Sequence, residues 1–304
     1  MKKDLQYHFI YIKNCNMCNS STNTHKVLGK RLNRSQGKNP KQKIGITTTI
    51  IKCDNCGLIY SNPQPVPYNI QDHYGMPPES YWNENYFKID VNYFKNEIEI
   101  AKKLLDFKGQ MKFLDIGAGI GKAIISAENE GFDCYGFEPS LSFYDRAISK
   151  MGLNPEKLKL GQIEDIDYPE NYFDFISFGA VLEHLYNPSD SIIKALSWLK
   201  PNGIIHIEVP SSDWLINKLI NFYYKINRTD YVGNISPMHE PYHLYEFSMK
   251  SFKAHSKKHN YIIAHHEFNV CETYMPKFLN FLLVPFMKYT KTGMQLTVYL
   301  RKNK

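Results

Sequence analysis

The chain lacks any run of about 18 consecutive apolar residues, so its sequence does not predict a transmembrane helix. Its first residues also lack a continuous apolar segment and a small-residue cleavage site, so a secretory signal peptide is not expected. No internal repeat is present. These absences predict a cytoplasmic protein.

Acidic residues are absent from Leu5 through Cys53, although this segment carries nine basic side chains. They are Lys13, Lys26, Lys30, Arg31, Arg34, Lys38, Lys41, Lys43 and Lys52. The bias predicts an anionic partner such as a nucleotide-sugar diphosphate, a lipid phosphate or nucleic acid. A solvated loop whose basicity serves only solubility is the alternative. Nucleic acid is disfavoured because the net charge is only +7 and no aromatic residue lies between Lys26 and Lys43.

The remaining composition is that of a globular protein, with 304 residues, 43% hydrophobic and 22% charged. A chain of this length accommodates one large α/β domain with a small appendage.

A glycine-rich segment carries the strongest functional signal. Residues 113–140 read FLDIGAGIGKAIISAENEGFDCYGFEPS, which predicts a buried strand, a glycine turn, a helix and a second strand. Asp115 ends the first strand and Glu138 ends the second, where a carboxylate can accept both ribose hydroxyls of a nucleoside cofactor. Position 122 is Lys122, so the dinucleotide G-x-G-x-x-G fingerprint is not met. An ordinary strand-to-helix turn is the alternative.

The D-x-G-x-G-x-G pattern resembles motif I of the class I S-adenosylmethionine-dependent methyltransferases. GQIEDIDYPENYFDFISFGAVLEHLYNP, residues 161–188, resembles the following blocks of that family. The resemblance implies a seven-stranded, doubly wound, Rossmann-like α/β sheet that binds S-adenosylmethionine. The cofactor-binding residues it implies are Asp115, Gly117, Ala118, Gly119, Gly121, Glu138, Pro139, Gln162, Ile163, Gly179 and Glu183.

Four of the six cysteines form two C-x-x-C pairs, Cys15 with Cys18 and Cys53 with Cys56. Two such pairs are typical of a four-cysteine Zn²⁺ site, whereas two disulfides or four idle thiols remain open. Asn19 and Gly57 follow the pairs and suit the tight turns at the metal. The 34 intervening residues predict a long loop. The other two cysteines, Cys134 and Cys271, are predicted to be core residues of strands.

The segment after the second pair, CDNCGLIYSNPQP, resembles the N-terminal zinc-binding module of methyltransferases that include sugar C-methyltransferases. The aromatic residues that follow could stack on a sugar ring, cap the cofactor or pack in the core: Tyr74, Tyr81, Trp82, Tyr86 and Phe87.

The resemblance also identifies candidate catalytic residues. HEPYHLYEFS, residues 239–248, places His243 and Phe247 in the family's pattern, but Tyr242 replaces its acid. This replacement favours methylation of a sugar oxygen over carbon methylation of a nucleotide deoxysugar. His243 is the predicted general base, with His239 and His184 in reserve, because imidazole titrates near working pH. A nucleic-acid-binding methyltransferase is a further alternative.

The predicted organisation is a zinc-binding module over 1–75, a helical linker over 76–110 and a methyltransferase domain over 111–304. Helical insertions are expected at about 211–260, capped by Ser211 or Ser212, and at 272–292. The apolar stretch 275–289 is expected to pack on the protein's own core, with a lid, a dimer face or a shallow membrane contact as alternatives.

Overall fold

A computed structural model describes residues 7–33, 45–69, 71, 82–239, 243–271 and 273–303. Several residues discussed above lie outside these ranges: Arg34, Lys38, Lys41, Lys43, Tyr74, Tyr81 and Tyr242.

The main sheet has seven strands in the order β12-β13-β10-β9-β6-β7-β8 within the described residues. The strands are β6 (Lys112–Ile116), β7 (Asp133–Glu138), β8 (Leu158–Leu160), β9 (Phe173–Gly179), β10 (Leu199–Pro210), β12 (Tyr261–Asn269) and β13 (Gln295–Lys302). β13 is antiparallel to both of its neighbours, whereas β6 to β10 pair in parallel. The predicted α/β sheet is therefore confirmed. Its central strands are almost continuously apolar because both of their faces are buried.

Helices cover the sheet and extend beyond its carboxyl edge. They are α1 (Lys95–Leu105), α2 (Lys122–Asn129), α3 (Leu141–Ser149), α4 (Pro188–Trp198), α5 (Leu215–Ile226), α6 (Met249–Ser256) and α7 (Asn280–Thr290). A capping box formed by Ser248 and Ser251 begins α6, as the serine at this position predicts.

A second sheet of four strands lies in the N-terminal part, in the order β11-β4-β3-β2. It contains β2 (Lys26–Leu32), β3 (Thr47–Lys52), β4 (Ile59–Asn62) and β11 (Tyr245–Glu246), and a separate pair joins β1 (Tyr7–Ile10) to β5 (Gln64–Pro67). Since β11 comes from the C-terminal half, the cysteine-containing segment is hydrogen-bonded into the larger domain.

The prediction of a long loop between the cysteine pairs is wrong. β2 and β3 pair across that interval, and TTTIIK in β3 is rich in β-branched residues, which favour strands. The excess of basic residues in this segment does not indicate these strands.

Two further predictions are also wrong. α5 begins after Trp214 without a side-chain cap; Ser211 instead bridges to Phe247 and its hydroxyl accepts the Asp213 N–H. Cys271 is exposed beyond the end of β12, whereas Cys134 is buried in β7 as expected.

The expectation that the apolar stretch 275–289 packs on the protein's own core is wrong. Only Met287 of α7 is buried, and Phe281 is 71% exposed. No helix among the described residues has the length and apolar character needed to cross a membrane.

Candidate active site

The glycine turn joins β6 to α2 and approaches the end of β7. Gly117, Gly119 and Gly121 all have positive φ. A Cβ on Gly121 would lie 2.2 Å from Leu153, so this glycine allows the turn to pack on the protein. At Gly119, the nearest atom to an added Cβ is on Phe143 at 4.0 Å, so this part of the turn faces open space. A ligand can therefore approach the backbone there.

Glu138 is fixed by two backbone amides at the end of β7. The Gly119 N–H donates to Oε2 and the Ser140 N–H donates to Oε1, both at 2.8 Å. Each carboxylate oxygen keeps a further lone pair, so the side chain can still accept hydroxyl donors. Burial raises the pKa of Glu138 to about 7, although the two amide bonds favour its ionised form.

A cleft of about 780 Å³ opens beside Glu138 at the carboxyl edge of the sheet. Apolar side chains from three elements line it, including Phe143, Ile163 and Leu185. Its mixture of an apolar slot and one fixed carboxylate suits a nucleoside. The predicted residues that line it are Gly117, Gly119, Glu138, Pro139, Gln162, Ile163 and His184.

A second cavity, of about 1110 Å³, lies on the other side of the glycine turn. Asp115, Glu97 and Glu208 line it together with a single lysine, Lys122, so its walls favour a cationic ligand. Burial, with Glu138 as the secondary cause, raises the pKa of Asp115 to about 8. The predicted residues Ala118 and Gly179 also line this cavity, whereas Gly121 and Glu183 line neither.

Two histidines meet at the rim of the first cleft. His184 lines the cleft, and its ring centroid lies 4.4 Å from that of His243 in an edge-to-face arrangement. His243 stands behind His184, and its Nδ1 is 2.6 Å from Ser236 Oγ. His239 is exposed, with its ring 5.4 Å from that of His243.

Glu183 lies beneath this histidine pair and is 2% exposed. Burial raises its pKa to about 8. Its Oε2 has no hydrogen-bond partner among the described residues, while its backbone carbonyl accepts the Leu244 N–H at 2.7 Å. Glu183 therefore links the segment that carries His184 to the segment that carries His243.

The two cysteine pairs converge into one buried cluster. Their four sulfur atoms lie within 4.8 Å of one another, and the closest contacts, Cys15–Cys56 and Cys18–Cys53, are 3.5 Å. Sulfur atoms in a tetrahedral zinc site with bonds of about 2.3 Å are about 3.8 Å apart, whereas a disulfide requires about 2 Å. The donor set therefore fits Zn²⁺ better than two disulfides. Asn19 and Gly57 both have positive φ, as the turns require.

The cysteine cluster contacts the histidine rim through Asn16. Its side-chain amide donates to the Tyr186 carbonyl at 3.0 Å and to the Tyr245 hydroxyl at 2.7 Å. Tyr186 and Tyr245 each follow a rim histidine by two residues. The first cysteine turn is thus tied directly to both segments that hold the histidines.

Aromatic residues ahead of α1 contact or line the walls of the two cavities. Trp82 lies 4.9 Å from Phe143 between ring centroids and under the Arg146 guanidinium at 4.0 Å. Tyr86 lines the second cavity. Of the predicted aromatic cap, Trp82 and Tyr86 therefore lie at the site, and Phe87 stacks on Trp82.

The sequence matches the Methyltransferase domain family over residues 93–266, more than half of the chain. The chain belongs to this methyltransferase family.

Similar curated proteins are methyltransferases over shorter segments. Phosphoethanolamine N-methyltransferase 3 of Arabidopsis thaliana is 29% identical over 123 residues, covering 37% of this chain and 25% of that protein. The ubiquinone biosynthesis O-methyltransferase of Bradyrhizobium diazoefficiens is 27% identical over 114 residues, covering 36% and 44%. The chain thus matches less than half of the length of either relative.

Among solved structures, a chain of the Haloferax volcanii complex between the Trm112 methyltransferase activator and a methyltransferase has a similar fold. The TM-score is 0.50 at 13% identity, over 76% of this chain and all of the other. This likeness supports the methyltransferase fold alone.

Sequence reasoning missed several residues that line the methyltransferase's two cavities: Tyr93, Phe143, Ser177, Val181, His206 and Glu208. Ser177, His206 and Glu208 lie near the carboxyl ends of β9 and β10, where a doubly wound sheet places its ligands. Their polarity within otherwise apolar strands was the available signal. Burial lowers the pKa of His206 to about 3, so its ring is neutral beside Ser177.

Proposed function

We propose that the protein is a cytoplasmic S-adenosylmethionine-dependent methyltransferase that methylates a hydroxyl group of a sugar, carried by a nucleotide, a surface glycan or a glycosylated natural product. The observation that carries the proposal is the His184–His243 pair at the mouth of the nucleoside-shaped cleft. Oxygen methylation needs a base near the hydroxyl and no separate group to stabilise a carbanion.

The residues that would hold the cofactor divide between the two cavities. Glu138 would accept the ribose hydroxyls, while Phe143 and Ile163 would enclose the adenine. The acidic second cavity around Asp115 would hold the cationic amino-acid portion. When bound, S-adenosylmethionine supplies a methyl group already activated by its sulfonium centre.

The remaining tasks of the protein are to align the hydroxyl oxygen with the methyl carbon and to accept the hydroxyl proton. His184 lines the cleft and would face the acceptor, and His243 would support it through the contact between their rings. Ser236 Oγ, 2.6 Å from Nδ1 of His243, holds the orientation of its ring. The Ser236 N–H donates to Glu246 at 2.7 Å, which fixes this arrangement.

Cys15, Cys18, Cys53 and Cys56 are proposed to bind one Zn²⁺ with a structural role. All four are buried and would together complete a tetrahedral ligand set, which would leave no open position for catalysis. Through Asn16, the metal would hold the rim segments in place.

A third cavity supports a phosphate-bearing acceptor. It has a volume of about 1540 Å³ and lies between the N-terminal sheet and α5. Five cations line it, against two carboxylates from Asp230 and Glu246: Lys26, Lys52, Lys218, Lys225 and Arg228. A nucleotide-sugar diphosphate would find charge compensation there.

The test is transfer of a labelled methyl group to a panel of nucleotide sugars and free sugars by the wild type, His184→Gln and His243→Gln. We expect at least one variant to lose about 10²- to 10⁴-fold in kcat while its affinity for S-adenosylmethionine stays unchanged. His8→Gln is the matched control, because His8 lies in β1, far from both histidines in the sequence.

Wild-type turnover in both His184→Gln and His243→Gln would refute the proposal that one of these histidines is the general base. Nuclear magnetic resonance of the product distinguishes O-methyl from C-methyl groups. Methylation of RNA, with a steep loss of binding on adding salt, would favour the nucleic-acid alternative.

A further inference from the structure

α5 and α7 carry apolar side chains with large exposed fractions. On α7 and the turn before it, Phe278 and Phe281 are each 71% exposed and Tyr289 is 88% exposed. Residues 281, 282, 285, 286 and 289 recur at helical spacing, so they form one face of α7. Met287, on the opposite face, is fully buried.

α5 presents a second stripe of the same kind. Its exposed apolar residues follow the spacing i, i+3, i+4 and i+7: Leu219, Phe222, Tyr223 and Ile226. The two helices meet in one small core that contains Trp214, Ile216 and Met287, and the Leu215 N–H donates to the Thr292 carbonyl at 3.2 Å. The two stripes therefore lie on neighbouring helices and are here named the α5–α7 surface.

The charged residues around α7 are all basic. The sequence contains no Asp or Glu from Thr273 to its end, although Lys277, Lys288 and Lys291 flank α7. All three lysines are exposed. Aromatic and aliphatic side chains surrounded by lysines are characteristic of helices that lie in the interface of an anionic membrane.

We propose that the α5–α7 surface docks on an anionic lipid bilayer, with α7 lying in the plane of the membrane. α7 has eleven residues and is about 16 Å long, about half the hydrocarbon thickness, so it does not span the bilayer. A second copy of the chain fits less well, because a two-fold interface would bring the same lysines together.

The α5–α7 surface lies at the edge of the sheet where the cavities open. β13 begins directly after α7, and Gln295 at its start donates to Glu208, which lines the second cavity. Docking would therefore orient the cofactor site toward the membrane. This inference does not depend on the proposed sugar acceptor.

The experiment is co-sedimentation of the full chain with vesicles of phosphatidylcholine alone or mixed with phosphatidylglycerol. We expect binding to the anionic vesicles that weakens with added salt, and weaker binding to phosphatidylcholine alone. Phe281→Ser should lower the partition coefficient about tenfold, because it removes one inserted aromatic ring.

Tyr68→Ser is the matched control, because Tyr68 is also 71% exposed but follows β5 in the N-terminal part. Its partition coefficient should equal that of the wild type, and both variants should keep the wild-type melting temperature. The proposal is overturned if the wild type does not sediment with anionic vesicles or if Phe281→Ser binds equally well. A lipid-independent dimer that Phe281→Ser dissociates, without vesicle binding, would overturn it in favour of a second copy.

Discussion

Replacing Glu138 with Gln tests the assignment of the cofactor cleft. The carboxylate accepts the Gly119 and Ser140 amides, and the ribose hydroxyls would use its remaining lone pairs. Glutamine keeps one oxygen but turns an NH₂ group toward one of these amide donors. Hydrogen bonds to a charged group contribute about 1.5–3 kcal/mol each, so we expect a loss of about 2–4 kcal/mol in binding. The Kd for S-adenosylmethionine should then rise about 30- to 1000-fold.

Isothermal titration calorimetry with S-adenosylmethionine measures this change directly. Glu156→Gln is the matched control, since Glu156 is an exposed acid in the same half of the domain and lines neither cavity. Thermal melting establishes that both variants remain folded. A Glu138→Gln protein that is folded and binds within about threefold of the wild type would refute the ribose assignment.

Two further predictions concern pH and metal. Burial raises the folded-state pKa of Asp115 to about 8 and of Glu138 to about 7, so the folded, ligand-free protein binds more protons than the unfolded chain between about pH 4 and pH 8. The contribution of these two carboxyl groups to the free energy of unfolding is complete below this window and is lost as pH rises through it. For Glu138 alone, the raised pKa corresponds to about 3 kcal/mol. The melting temperature should fall from about pH 4 to about pH 8 in the wild type, and the fall should be smaller in Glu138→Gln; equal falls would contradict this account. Removal of zinc by a chelator, or Cys18→Ser, should lower the melting temperature and abolish turnover because the rim loses its support, whereas Cys271→Ser, outside the cluster, should retain both metal and turnover. Unchanged melting and activity after metal depletion would exclude a structural zinc.

Local sequence patterns predicted the parts of the fold that local chemistry determines. The apolar strand before Gly117 and the acid at Glu138 follow from the order of residues along one βα unit. The cysteine pairs were likewise recognised because each spacing is set by a single turn.

Features that depend on several distant elements could not be predicted in this way. Phe143 and His206 reach the cavities only through the stacking of separate strands and helices. The apolar composition of residues 275–289 predicted packing on the core, but burial depends on what packs against the helix, and only Met287 of α7 is buried. The division of the chain at residues 75 and 110 remains a prediction.

The most direct test of the central claim is a crystal structure of the protein with S-adenosylhomocysteine, measured at the zinc absorption edge. We predict adenine between Phe143 and Ile163, both ribose hydroxyls on Glu138, and one anomalous peak among the four cysteine sulfurs. Binding of S-adenosylhomocysteine away from Glu138, or a cluster without metal density, would contradict the account.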